Sequence, residues 1–154
     1  TSAVKLKVKM LTLHIRGGEE MLEAAVAAAK KAAQVFKVRR PLLIGVTVLT
    51  SQKTKPQAVL KLAQQGIRCG LDGVVCAVSE VGVLRRAIKK NFKTITPGIR
   101  SNQAQADDQK RTATVAQAIK AGSDFLVIGR PILKAADPRS QAAEFLGDLN
   151  GRGN

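Results

Sequence analysis

Two short segments of this chain combine glycine, arginine and proline in a way suited to gripping an anion. In Thr96-Pro97-Gly98-Ile99-Arg100, Gly98 lets backbone approach a ligand closely while Arg100 supplies a fixed cation. Gly129-Arg130-Pro131 repeats the device, with an open N–H expected at Gly129 and a guanidinium at Arg130 that can fork onto phosphate oxygens. A single arginine in either place reads most simply as half of a surface salt bridge. Two of them, each beside a Gly and a Pro and each just after an apolar run, read as an anion clamp. Other chemistry-bearing residues are sparse. His14 is the only histidine and, near the end of an apolar run, reads as a packed, hydrogen-bonded residue rather than a catalyst. Cys69 and Cys76 match neither a zinc spacing nor a dense disulfide framework, so both are expected to be reduced, with Cys76 in the core. No metal-ligand cluster and no nucleophilic triad is visible, and no cofactor is expected.

The elements that must position the clamp read as repeated strand–helix units. Apolar runs at residues 4–15, 42–49, 73–77, 93–96 and 125–128 are each followed by a stretch with helical spacing. The first run opens with Lys5, Lys7 and Lys9 alternating with Val4, Leu6, Val8 and Met10, which predicts a strand with one wet face. After Gly17-Gly18, acids at Glu19, Glu20 and Glu23 open a helix with Leu22, Val26, Ala29, Ala33 and Phe36 on one side. Further helices are predicted at 56–66, from Ser79 and Glu80 onward, at 114–121 and at 138–149, with a tail that frays. The strand at 42–49 is almost wholly apolar, as in a parallel strand covered on both faces. Periodicity leaves open whether these parallel strands form an open doubly wound sheet or a barrel. In either case ligands bind beyond the C-terminal strand ends, where both arginine loops fall.

The 154 residues read as a single domain, residues 1–154, with an aliphatic core, since the chain has four Phe and neither Trp nor Tyr. No apolar run reaches the roughly 20 residues that span a bilayer, and no signal-peptide pattern is present, so no membrane partner is expected and the location reads as cytoplasm or organelle matrix. The net charge of +15, from 26 Lys and Arg against 11 Asp and Glu, exceeds what solubility requires. It makes phosphate esters or RNA plausible partners without choosing between them.

The loop sequences also carry a resemblance. Val46-Thr47-Val48-Leu49-Thr50-Ser51, Asp72-Gly73-Val74-Val75-Cys76, Thr96 to Arg100, Asp107-Asp108-Gln109 and Val127-Ile128-Gly129-Arg130-Pro131-Ile132 occur in order. They resemble strands five to eight of the orotidine 5'-phosphate decarboxylases. Leu11-Thr12-Leu13-His14 before Gly17-Gly18 is similar to the family's fourth strand, although Ile15-Arg16 stands where a small Ala-Ser is usual. The resemblance implies an α/β fold, a partial TIM (β/α)8-type barrel of five parallel strand–helix units. It also implies that Gln109, Gly129 and Arg130 bind a nucleotide phosphate, that Pro97 and Arg100 line the same end, and that Ser51 with Thr50 reads a pyrimidine. The implied ligand is a pyrimidine nucleoside monophosphate.

The family's decarboxylation depends on an Asp-x-Lys-x-x-Asp motif on the third strand, and no such motif occurs in this sequence. The first acid is Glu19, and Lys5, Lys7 and Lys9 have no carboxylate near them in the sequence. No catalytic residue is assigned, and an isolated chain without decarboxylase activity is expected. The alternative is a basic structural protein of a ribonucleoprotein assembly. A five-stranded parallel sheet would also leave two edges unpaired, which predicts a homo-oligomer or a larger assembly that completes the barrel. The Lys5-Lys7-Lys9 run would protect one of those edges.

Overall fold

The apolar runs become parallel strands because each is followed by a helix that carries the chain back before the next begins. The computed structural model describes residues 1–48, 55–101 and 112–151. A short helix α1 (Ser2–Lys5) precedes β1 (Met10–His14), a 3-10 turn (Ile15–Gly17) and α2 (Glu19–Val35). β2 (Leu42–Val46), α3 (Pro56–Arg68), β3 (Gly73–Val75) and α4 (Val78–Ala87) follow. Next come β4 (Lys93–Pro97), β5 (Ile99–Arg100), β6 (Ala113–Thr114) and α5 (Val115–Ala121). The chain ends with β7 (Phe125–Val127), α6 (Arg130–Leu133) and α7 (Pro138–Leu149). The main sheet has the order β1-β2-β3-β4-β7, all parallel, so β1 and β7 are its edges among the described residues.

The predicted strand at 4–15 is corrected. Its first half is not extended: Val4 and Lys5 N–H donate to the Thr1 carbonyl and Leu6 N–H to that of Ser2, closing a helical turn. Lys7 then takes a left-handed conformation at φ 57°, which reverses the chain into β1. Alternation would have put Val4 and Leu6 on one face, yet Val4 is 2% exposed and Leu6 76%. The lysine run therefore does not lie along an edge strand, and the protection expected of it is withdrawn. Phe36, placed on the buried side of the second helix by spacing, lies one residue beyond that helix and is exposed. α6, a single turn after β7, has no counterpart in the sequence reading.

Register divides the sheet into two faces. Leu43 and Val74 belong to the main core, with Leu11 and Leu13 packed against it under Leu22, Val26, Val59, Ala63 and Leu84 of the covering helices. Gly45 lies in this layer, where a Cβ would stand 2.6 Å from Ile15 Cδ1 and 2.7 Å from Leu71 Cδ1, so any side chain there would have to displace both. The opposite face carries the paired row His14, Val46, Val75, Ile95 and Phe125. A flat sheet would separate β1 from β7 by roughly 19 Å at ~4.8 Å per strand. Instead Met10 and Phe125 line one cavity, so the sheet curls into a trough with the helices outside. Cys69 and Cys76 are both buried and free.

Two carboxylates pin the N-terminal strand ends. Asp72 accepts both arms of the Arg40 guanidinium at 2.7 Å and the Leu43 N–H at 2.8 Å, tying the entries to β2 and β3. Asp124 accepts from Lys93 at 2.9 Å, from the Thr94 N–H at 2.8 Å and from Arg85, tying β4 to β7. Burial pushes each carboxyl up, but the neighbouring N–H groups and cations more than offset it, and both lie below the ordinary aspartate value. The stability they give is complete above the unfolded-state value of roughly 4 and is lost as pH falls through the lower folded-state values. Urea unfolding should therefore show a stability plateau near neutrality and a decline below about pH 4. Asp72→Ala should cost about 1–3 kcal/mol at neutral pH, by leaving Arg40 and the Leu43 N–H unsatisfied, and should blunt that acid decline.

Candidate functional site

The two arginine loops leave adjacent strands at matching heights, because Pro97 at the end of β4 pairs with Val127 at the end of β7. Gly98 follows Pro97 with φ 83°, a left-handed conformation that turns the chain out of β4 and starts β5. β5 then pairs in parallel with β6, placing Arg100 opposite Thr114. Thr114 caps α5: its hydroxyl accepts from the Gln117 N–H at 3.2 Å while the Gln117 side chain accepts from the Thr114 N–H at 2.9 Å.

A second small core holds both loops. Ile99, fully buried between Gly98 and Arg100, packs with Val115, Ala118 and Phe145. Leu126, Ile128 and Ile132, which flank Gly129 and Arg130, pack against the same cluster. One hydrophobic unit therefore fixes both arginine-bearing segments, the arrangement a two-armed clamp requires. The Gly129 carbonyl accepts from the Ile132 and Leu133 N–H groups at 3.0 Å, making Arg130 the first residue of α6. A Cβ on Gly129 would meet nothing within 4 Å, so there is open space over this loop. Arg100 is half-buried and folds back so that Nη1 donates to the Ile99 carbonyl at 3.1 Å; Arg130 and Pro97 are also half-buried.

The structure thus brings Pro97, Arg100, Gly129 and Arg130 to one end of two neighbouring strands. Thr50, Ser51 and Gln109 lie outside the described residues. His14, read from the sequence as a packed residue, is exposed at the C-terminal end of β1, because β1 is an edge strand and no further strand covers its trough face. Among the described residues no group of His, Cys, Asp or Glu is placed to hold a metal, and no helix is long and apolar enough to cross a membrane. The sequence reading missed a cation cluster at the other end of the trough, where Lys7, Lys9, Arg39 and Arg40 line a cavity. The lysines were visible in the sequence, but treating them as strand residues hid their convergence with Arg39.

Parallel strands with outer helices, and two arginine-bearing loops beyond β4 and β7, define a partial (β/α) barrel. A profile of the Orotidine 5'-phosphate decarboxylase / HUMPS family matches residues 1–145, and the chain belongs to that family. An orotidine 5'-phosphate decarboxylase from Idiomarina loihiensis is 45% identical over 95% of this chain, and one from Vibrio atlanticus is 42% identical over 96%. The chain spans 66% and 67% of their respective lengths. The crystal structure of orotidine 5'-phosphate decarboxylase from Lactobacillus acidophilus superimposes with a TM-score of 0.74 at 30% identity, covering 95% of this chain and 65% of that one.

Gly98 offers a direct check on how the clamp is held. An alanine forced into its left-handed conformation costs about 1–2 kcal/mol, so Gly98→Ala should lower unfolding stability by that amount. Gly147→Ala, in α7 with open space around it, should raise stability by about 0.5–1 kcal/mol in the same urea titration.

Proposed function

We propose that this chain supplies the phosphate-gripping part of an orotidine 5'-phosphate decarboxylase site and takes a pyrimidine nucleoside monophosphate. The observation that carries this reading is the shared core around Ile99, which presents Arg100 and the Gly129-Arg130 turn side by side beyond β4 and β7. A phosphate monoester is the ligand such a pair suits: Arg130 forks onto two oxygens, Arg100 balances the second charge, and Gly129 leaves room for the ester to approach. Gln109 joins them from the segment before β6, while Thr50 and Ser51 contact the base from the segment after β2. Pro97 lines the same end of the pocket as Arg100.

Decarboxylation is a separate demand. It needs a cation poised to protonate a carbanion and carboxylates that hold it there, and this sequence has no Asp-x-Lys-x-x-Asp arrangement to provide them. The chain by itself holds nucleotide without turning it over, and catalysis requires further strands against the open edges of β1 and β7, in a homo-oligomer or a larger assembly.

Titration of the chain with uridine monophosphate tests the binding half of this reading. Saturable binding is expected, and Arg130→Ala should weaken it roughly 10- to 100-fold, the effect of losing charged hydrogen bonds of about 1.5–3 kcal/mol. Absence of nucleotide binding, together with tight and strongly salt-dependent binding of a structured RNA, would favour the basic ribonucleoprotein role instead.

A further inference from the structure

The N-terminal rim, where helices hand over to strands, carries more cations than its carboxylates pair with. Lys37 stands between α2 and β2, Lys89 and Lys90 between α4 and β4, and Lys120 in the last turn of α5 before β7. All of them are exposed, and Lys37, Lys89 and Lys120 have no hydrogen-bond or ion-pair partner among the described residues. Lys90 donates to the Ile67 carbonyl at 3.5 Å and lies within electrostatic reach of Asp72, so it joins the α4–β4 turn to the end of α3. Residues 81–106 contain no Asp or Glu. Asp72 and Asp124 are already taken by Arg40, Arg85 and Lys93, and Asp148 in the last turn of α7 forms no ion pair with these lysines. A helix C-terminus favours a nearby cation, which accounts for one such residue per helix. Here α4 ends in Arg85 and Arg86 and is followed at once by Lys89 and Lys90. Lys37 also holds a left-handed conformation, φ 51°, at a position where glycine closes a helix without strain.

We propose that this band of lysines binds the phosphate backbone of a nucleic acid, without reading its sequence, at a surface separate from the arginine loops. Sheet order puts the lysine turns side by side. The entries to β2, β3, β4 and β7 are consecutive, so the band from Lys37 to Lys120 crosses ~14 Å at ~4.8 Å per strand. One nucleic-acid strand carries a charge every ~3.4 Å along a helical axis, so an arc of this length meets roughly four phosphates. The apolar residues of the α4–β4 turn face inward, with Ile88 9% and Phe92 3% exposed, so the turn has nothing to insert into a bilayer. It equally lacks the apolar centre around which a protein interface is built. The cations are lysines, compact point charges on flexible stems, which follow a phosphate chain without demanding one fixed geometry. The two rims are separated by the length of β4, 5 residues or ~16 Å, which leaves room for nucleotide at Arg130 and a polymer at Lys89 and Lys120 together. This inference stands independently of what the arginine loops hold.

Fluorescence anisotropy of a short, labelled, single-stranded RNA of mixed sequence tests the proposal on the chain as it stands. Binding should persist in saturating uridine monophosphate and in Arg130→Ala, and DNA of the same sequence should bind comparably. Lys89→Glu combined with Lys120→Glu should weaken binding at least roughly 10-fold and flatten the slope of log affinity against log salt by about 1.4, the loss of two phosphate contacts. Lys55→Glu combined with Lys61→Glu changes the net charge equally, at the start and middle of α3, and should weaken binding less than roughly 3-fold. Circular dichroism checks that each variant folds, and the uridine monophosphate competition on the unmodified chain gives an answer even if a variant does not. Equal losses in the two double variants would mean attraction by net charge alone and overturn the proposed surface. Displacement of the RNA by uridine monophosphate, or its loss in Arg130→Ala, would place the RNA at the arginine loops and overturn it as well. Absence of RNA binding overturns it outright, and capture of phosphatidylglycerol vesicles in its place would assign the band to a lipid surface. Each of these outcomes leaves the uridine monophosphate titration, and the reading it tests, to stand or fall separately.

Discussion

Parallel pairing is the constraint from which the rest of this structure follows. Two parallel neighbours cannot be joined by a tight turn, so each strand must be followed by a crossover long enough to return the chain to the starting end. Here the crossovers are α2, α3, α4 and α5, and all of them cover one face of the sheet. That leaves two distinct rims: the C-terminal rim, where Gly98 and Gly129 open the loops, and the N-terminal rim, where loops return. The trough face is curled on itself, so Ile44 and Ile95 are buried in its middle while His14 and Val127 on the edge strands remain exposed.

The rims have different tasks and use different chemistry. At the N-terminal rim, Asp72 and Asp124 each bind a backbone N–H of a neighbouring strand, Leu43 or Thr94, as well as cations. Each therefore fixes the register of a strand pair while neutralising charge, something a salt bridge between side chains alone cannot do. At the C-terminal rim no carboxylate is found in the described parts of the two arginine loops, and the positioning falls to packing, through Ile99, Ile128 and Ile132.

Much of this was legible in the sequence, and the exceptions have physical causes. Helix α7 at Pro138–Leu149 and the start of α3 at Pro56 follow from proline in the first turn and the apolar spacing behind it. The stretches at Leu42–Val46 and Phe125–Val127 are strands because short apolar runs between turn residues have few other ways to be buried. The failure at residues 4–9 came from reading alternation as a strand signal when the burial of Val4 against α2, and not period two, decides the local conformation. The placement of the two arginine loops was legible because their residues sit beside glycines at strand ends. The N-terminal cation cluster was not, because Lys7 and Arg39 are far apart in sequence and meet only when β1 pairs with β2 in the register Met10 to Leu42.

That cluster bears on the unusual charge of the chain. With 26 basic and 11 acidic residues, most cations cannot find an internal carboxylate, and the two acids at the N-terminal rim take more than their share. Asp124 alone receives Arg85 and Lys93, so the pairing of strand ends concentrates negative charge where register must be fixed and leaves none for Lys7, Lys9 or Arg39. The resulting field is not spread evenly: it has one focus at the arginine loops and another at the opposite mouth of the trough. A diffuse basic surface would present the same surroundings to any polyanion, whereas these two foci differ: one is walled by apolar side chains and the other is open above a glycine.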